Sequence, residues 1–229
     1  MATQGDESQA QVFLQPIAAP SILGLYGFAG STFIVAANLA HWYGTPETPF
    51  FLFPLAAFFG GLAQFLAGMW AYKARDALAT AMHGMWGAFW MGWGLLNLLF
   101  ATGHLKVTDP SFLPAFGYWF IALGAITLMG AIAASAENLA LSLVLHTLWL
   151  GSGLLAIGFL AAHNINSGWV IIGGWVLLLS ALLAWYTASA FMFEGVFGRA
   201  VLPVGLTQKA QQEPEIVPGA GEPGVAKGQ

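Results

Sequence analysis

Two stretches of the chain, Leu78 to Leu105 and Ser111 to Ala136, contain no Asp, Glu, Lys or Arg. Each is longer than the ~18 apolar residues that make a membrane-crossing helix. Over all 229 residues the chain is 58% hydrophobic and 7% charged, where a soluble domain is about a quarter charged. An ordinary globular fold is therefore excluded, and the expected class is an all-α integral membrane protein, surrounded by lipid and crossing the membrane many times.

Reading apolar windows against polar and Pro/Gly punctuation gives six spans, at about 22 to 43, 51 to 72, 78 to 102, 114 to 135, 139 to 162 and 169 to 192. Each can cross about 30 Å of hydrocarbon at about 1.5 Å per residue. The connections GTPETP, KARD, TGHLKVTDPS, AEN and HNINSG are short. The expected organisation is an N-terminal tail (1–20), a six-helix transmembrane domain (21–194) and a C-terminal tail (195–229). So little chain outside the bilayer leaves no room for a soluble catalytic domain, and no enzyme activity is expected.

Lys73 and Arg75 follow the second span and Arg199 follows the sixth, against Lys106 after the third. Basic residues near helix ends collect on the cytoplasmic side, so both termini are expected there, at a cell membrane. The N-terminus, MATQGDESQAQVFLQP, is acidic where a signal peptide is basic, and it is expected to remain as a tail. From Gln208 onward Gln, Pro, Gly and Glu predominate, a composition that buries too little surface to fold. Trp42, Tyr43, Trp70, Tyr72, Trp169, Trp185 and Tyr186 fall near span ends, where amphipathic rings favour the headgroup layer.

The formal net charge of -4 sits mostly in tails and loops, and no basic cluster suggests nucleic acid. Cysteine is absent, which removes disulfides, thiolate catalysis and cysteine metal sites. No cofactor is expected.

The polar and small residues inside the spans carry the functional signal. Gly60, Gln64 and Gly68 recur every four residues and share a helical face. Gly24, Gly27, Ser31 and Asn38 do so on the first span, and His83, Gly87, Trp90, Gly94 and Asn97 on the third. Small residues let helix backbones approach closely in lipid, while polar groups inside a bilayer need partners or water. Two readings follow: interhelical hydrogen bonding, or convergence of these faces on a narrow conduit. No charged residue lies deep in a span, which argues against a pump that relies on buried carboxylates. His83 and His146 stand six or seven residues into spans three and five. They suit interhelical bonding, a pH-sensitive element, or the axial pair of a haem.

Three stretches resemble the acetate uptake transporters of the succinate–acetate permease (YaaH) type. They are APSILGLYGFAGSTF (19 to 33), FFGGLAQFLAGMWAYK continuing to GMWGAFW (58 to 73 and 84 to 90), and FGRAVLPVG (197 to 205). The resemblance implies a six-helix protomer with one pore per protomer, assembled as a homohexamer, passing acetate and similar small monocarboxylates, sometimes succinate. It implies a hydrophobic pore constriction of Phe28, Trp86 and Leu148, with Ser31 and Thr32 as a hydroxyl pair beside it. Asn38, Gln64, His83, Trp90, Asn97 and His146 complete the expected substrate pathway. The chain departs from the family pattern at Ala19, Ile22 and Ala71, and by tryptophan in place of tyrosine at 86. A channel or proton-linked transporter for acetate is the leading expectation. A hexameric channel for urea or a short amide is the alternative, and a haem- or quinone-binding membrane anchor a third.

Overall fold

The computed structural model describes residues 17–207; the expected disorder from Gln208 onward, and the first sixteen residues, lie outside them. Among the described residues the chain forms six helical rods: α1 (Pro20–Leu39), α2 (Thr48–Ala74), α3 (Ala77–Ala101), α4 (Phe112–Ala134), α5 (Leu139–Ala161) and α6 (Gly168–Phe197). Five are long and apolar enough to cross a membrane by length and composition. The other, α3, has 25 residues, but three tryptophans, four glycines, His83 and Asn97 dilute its hydropathy.

Capping chemistry sets several boundaries. Pro20 opens α1, where its missing N–H costs nothing. Asp76 and Asn138 cap α3 and α5, their side-chain oxygens accepting from Ala79 N and Leu141 N at 2.8 Å. Two ends differ from expectation. α1 stops at Leu39 rather than near 43, because His41 turns left-handed (φ 60°) and Trp42 N donates back to the Ala37 carbonyl. α6 runs on to Phe197, where Gly198 (φ 66°) ends it.

α2 is not a uniform helix. Pro54 cannot donate to the carbonyl one turn back, and from Ala56 to Ala63 the rod is π-helical before returning to α geometry at Gln64. A π stretch shifts the register of all that follows, so the glycine run is shared between two neighbours. A β-carbon at Gly60 would fall 2.5 Å from Ser31 Oγ and 2.9 Å from Trp90 Cδ1; one at Gly61 would fall 2.7 Å from Met91 Cγ. One at Gly68 would meet the Gly84 backbone at 2.6 Å. Across the α1 boundary, a β-carbon at Gly27 would lie 2.5 Å from the Phe59 carbonyl oxygen. The glycines therefore bring α1, α2 and α3 into backbone contact, as packing in lipid requires.

The rods form two sets of three. α2 packs between α1 and α3, and α5 packs between α4 and α6; α6 returns to α1, while α3 meets α1 and α4 only sparsely. Trp86 of α3 bridges that sparse seam by donating from Nε1 to Thr127 Oγ1 of α4 at 3.0 Å. After α6 the chain folds back: Leu139 N and Ala140 N donate to the Gly205 and Val204 carbonyls, and Tyr186 Oη donates to the Pro203 carbonyl. The FGRAVLPVG stretch is thereby pinned to the start of α5.

Candidate functional site

Two cavities enter the bundle from opposite ends. The first, about 130 Å³, is lined at the end where α1, α3 and α5 finish by Thr32, Asn38, Trp90, Trp93, Asn97 and Phe100, and deeper by Phe89, Phe120, Phe159, Trp86 and Leu148. The second, about 240 Å³, opens at the end where the described chain begins and closes. It is lined by Ser21, Leu25, Phe28, Gln64, Asp76, Met82 and His83, and by Glu137, Leu145, Trp86 and Leu148. Trp86 and Leu148 line both; Phe28 lines the second. The three expected constriction residues thus lie together between the cavities.

Their environment is dry. Phe28, Trp86 and Leu148 are 2%, 3% and 2% exposed. The Phe28 and Trp86 rings meet edge to face, centroids 6.1 Å apart at 74°, a favoured aromatic geometry. The Trp86 hydrogen bond fixes its indole, and Thr127 in turn donates to the Leu123 carbonyl at 2.7 Å. Phe89 extends the ring system from Trp86 to Trp90 and Phe120, with centroids 5.1 to 5.7 Å apart.

The polar residues divide between the two sides. Thr32, Asn38, Trp90 and Asn97 line the first cavity, and Gln64 and His83 the second. Asn38 Nδ2 donates to the Tyr43 carbonyl and Asn97 Nδ2 to the Trp93 carbonyl, both within their own helical end. Among the described residues, buried Ser31 Oγ, Thr32 Oγ1, Gln64 Oε1, His83 Nδ1 and Trp90 Nε1 have no hydrogen-bond partner. Ser31 packs against Gly60 and lines neither cavity. His146 departs from the expected pathway: its Nδ1 lies 2.8 Å from the Ser142 carbonyl one turn back, and it lines neither cavity. His83 and His146 consequently share no cavity that could hold a haem between them. Among the described residues no group of three or more His, Asp or Glu could hold a metal ion.

Several participants escaped the sequence reading. Thr127 anchors Trp86 from a helix with no polar stripe. Phe89, Phe120 and Phe159 wall the first cavity, and Asp76 and Glu137 stand at the mouth of the second. The capping position of Asp76, directly before α3, is the one signal that could have drawn attention to it.

Comparison with known proteins gives a consistent picture. Over 190 residues the chain is 30% identical to the succinate-acetate/proton symporter SatP of Escherichia coli (strain K12), covering 82% of this chain and 96% of that one. It is 26% identical over 200 residues to acetate permease A of Emericella nidulans, covering 81% of this chain and 65% of the relative. Among solved structures it resembles that of the bacterial acetate channel SatP, with a TM-score of 0.74 at 27% identity, over 83% of this chain and 100% of the other. The sequence pattern of the GPR1/FUN34/yaaH family matches residues 4–203, and the chain belongs to that family.

Proposed function

We propose that this protein is a membrane channel or proton-linked transporter for acetate and similar small monocarboxylates, with succinate as a larger candidate substrate. One observation carries the reading: two cavities enter from opposite ends and stop at the same dry group of Phe28, Trp86 and Leu148. A hydrophobic constriction passes a small solute by stripping its water, while hydroxyls, amides and helix-end dipoles on either side replace part of that hydration. Acetate fits such a route with a methyl group for the rings and one carboxyl group for the flanking polar atoms. The names of the relatives, a proton symporter, a permease and a channel, support transport rather than catalysis.

In this reading all six helices cross the bilayer, α3 included, since its His83, Trp86, Gly87, Trp90, Gly94 and Asn97 are buried against neighbours and cavities. Each protomer carries its own pore and six protomers assemble. Both termini are cytoplasmic, on the side of Lys73, Arg75 and Arg199, so the second cavity is the cytoplasmic one.

The test is uptake of radiolabelled acetate into proteoliposomes, with succinate, urea and acetamide as competitors, with and without an imposed proton gradient. Saturable acetate flux blocked by monocarboxylates is expected, and its gradient dependence separates carrier from channel. Flux of urea without flux of acetate would replace this reading by the neutral-solute channel, which the charge-free cavity walls beyond Asp76 and Glu137 also suit.

A further inference from the structure

The six helices close into a ring whose sparse joint is the seam between α3 and α4. Along the outside of that seam lies an open groove of about 780 Å³, where Leu78, Ala81 and Met82 of α3 face Ile126, Met129 and Ala133 of α4. Ala81, Met129 and Ala133 are exposed, so the groove is open to whatever surrounds the bundle. From Arg75 to Met82 it follows the chain for about 10 Å at about 1.5 Å per residue, against about 15 Å of hydrocarbon in one leaflet. Charge stands at one end of it, where Arg75, Asp76 and Glu137 join the lining. A second open groove, between α4 and α5, has no charged residue in its lining.

We propose that this groove holds one membrane phospholipid whose headgroup carries a primary ammonium beside its phosphate, with an acyl chain laid between α3 and α4; the proposal rests on α3 lying in the bilayer. The choice of headgroup follows from the charges. A guanidinium holds a phosphate through paired N–H···O bonds, and among the described residues Arg75 takes part in no ion pair. Asp76 caps α3 through Oδ1, and a carboxylate keeps lone pairs for a further donor. Glu137 already has a partner. Arg75 and Asp76, adjacent in sequence, therefore complement a phosphate and an ammonium together. A headgroup with net negative charge would satisfy Arg75 but set an uncompensated anion beside Asp76, and a trimethylated ammonium has no N–H to donate to the carboxylate.

The acyl chain has a structural role at the seam. Met82 stands one turn before Trp86, and Ile126 directly before Thr127, the pair whose hydrogen bond joins α3 to α4. Met82 lines both the groove and the second cavity, and glycine at 130 is what leaves room for it, since a β-carbon there would meet Met82 Sδ. The wall between the cavity and the lipid is thus thin at this joint. A chain packed against its outer side fills space that neither helix fills, and by binding the folded protein it stabilises the closed ring.

The experiment uses the full-length protein, delipidated in detergent and titrated with dioleoyl phosphatidylethanolamine, phosphatidylcholine and phosphatidylglycerol, with retained lipid read by native mass spectrometry and stability by Tm. The ethanolamine lipid should be retained, one per protomer, at about tenfold lower concentration than the other two, and Tm should rise with it. Arg75→Gln should weaken its retention about tenfold, the loss of one charge-assisted pair. Asp76→Asn should remove its advantage over the choline lipid. Ala133→Trp fills the exposed groove without entering the bundle and should abolish the selective retention. Equal affinity for the three lipids, tighter retention of the glycerol lipid, or unchanged retention in folded Arg75→Gln and Ala133→Trp overturns the assignment. Equal competition by soluble phosphoethanolamine overturns the place given to the acyl chain. An altered oligomeric mass in Ala133→Trp with lipid retention unchanged overturns the proposal in favour of a second copy covering the groove. None of these readouts involves acetate, so their failure is distinct from failure of the transport reading.

Discussion

Phe28→Ala tests whether the dry group between the cavities is the barrier to passage. The side chain is 2% exposed and meets Trp86 edge to face at 6.1 Å. Truncating a buried phenylalanine costs about 3–5 kcal/mol in a sealed core. Here the vacated space adjoins the second cavity, which water can enter, so the low end near 3 kcal/mol is expected. The effect on flux follows from hydration. A solute crossing the intact ring has no water beside Phe28, and one admitted water restoring a single hydrogen bond returns about 1.4 kcal/mol. That corresponds to about a tenfold faster crossing. Size selection should weaken together with the barrier, so succinate should gain relative to acetate. The assay is initial-rate uptake of both solutes into proteoliposomes, scaled to protein that elutes as a single species. A folded variant with unchanged acetate flux and an unchanged acetate-to-succinate ratio would refute the placement of the barrier at Phe28.

Gly27→Val would drive a side chain into the Phe59 backbone carbonyl, 2.5 Å from the new β-carbon; because backbone cannot rotate aside, it should lose about 1–3 kcal/mol, seen as a lower Tm in detergent. Trp86→Phe keeps the aromatic contact but removes the donor to Thr127, whose hydroxyl still donates to Leu123; stability should fall by only about 1 kcal/mol. Its flux should rise as α3 and α4 loosen, and a large loss of stability would show that the hydrogen bond carries more than this. Asn138→Ala removes the cap of α5 at Leu141 N and should cost about 1–2 kcal/mol, read by thermal unfolding.

The helices were legible in the sequence because lipid imposes a length and a composition on anything that crosses it. The glycine-rich faces were legible for the same reason: Gly27, Gly60 and Gly68 stood out in apolar surroundings, Gly27 and Gly68 marking close backbone approaches and Gly60 leaving room for the Ser31 and Trp90 side chains. What periodicity could not supply was the partner of each face. A four-residue spacing implies a uniform α-helix, and the π stretch at Ala56–Ala63 breaks that assumption, sending Gly60 toward α1 and Gly61 toward α3. Thr127 is one hydroxyl in an otherwise apolar helix, and only the meeting of α3 with α4 makes it the anchor of Trp86. The stretch from Arg199 to Thr207 reads as the beginning of a tail, yet its backbone bonds to residues 137–140. Such contacts lie far apart in sequence and leave no local pattern.

The two cavities on either side of the proposed constriction differ in a way that bears on direction and coupling. The first cavity presents indoles, phenylalanines and two amides already engaged within their own helical ends. Its walls are largely apolar, with the Thr32 hydroxyl and the Trp90 indole nitrogen as buried polar atoms that have no partner among the described residues. The second cavity is lined by an amide and an imidazole, Gln64 and His83, and has carboxylates at its mouth. Asp76 is held in that mouth by its capping bond to Ala79 N, and the Glu137 backbone by the returning C-terminal segment, through Thr207 N to the Glu137 carbonyl. Asp76 is therefore held as part of the frame of α3. A carboxylate at the mouth, such as Asp76, disfavours free anions and concentrates protons, so a weak acid would approach this side in its neutral form and cross the ring without shedding a charged hydration shell. Neutralising Asp76 alone, as in Asp76→Asn, retains a good capping residue while removing one carboxylate from the mouth. It should raise the share of flux carried at high pH, where the anion dominates, and leave stability within about 0.5 kcal/mol of wild type. An unaltered pH profile in this stable variant would show that the rim does not select the protonation state of the solute.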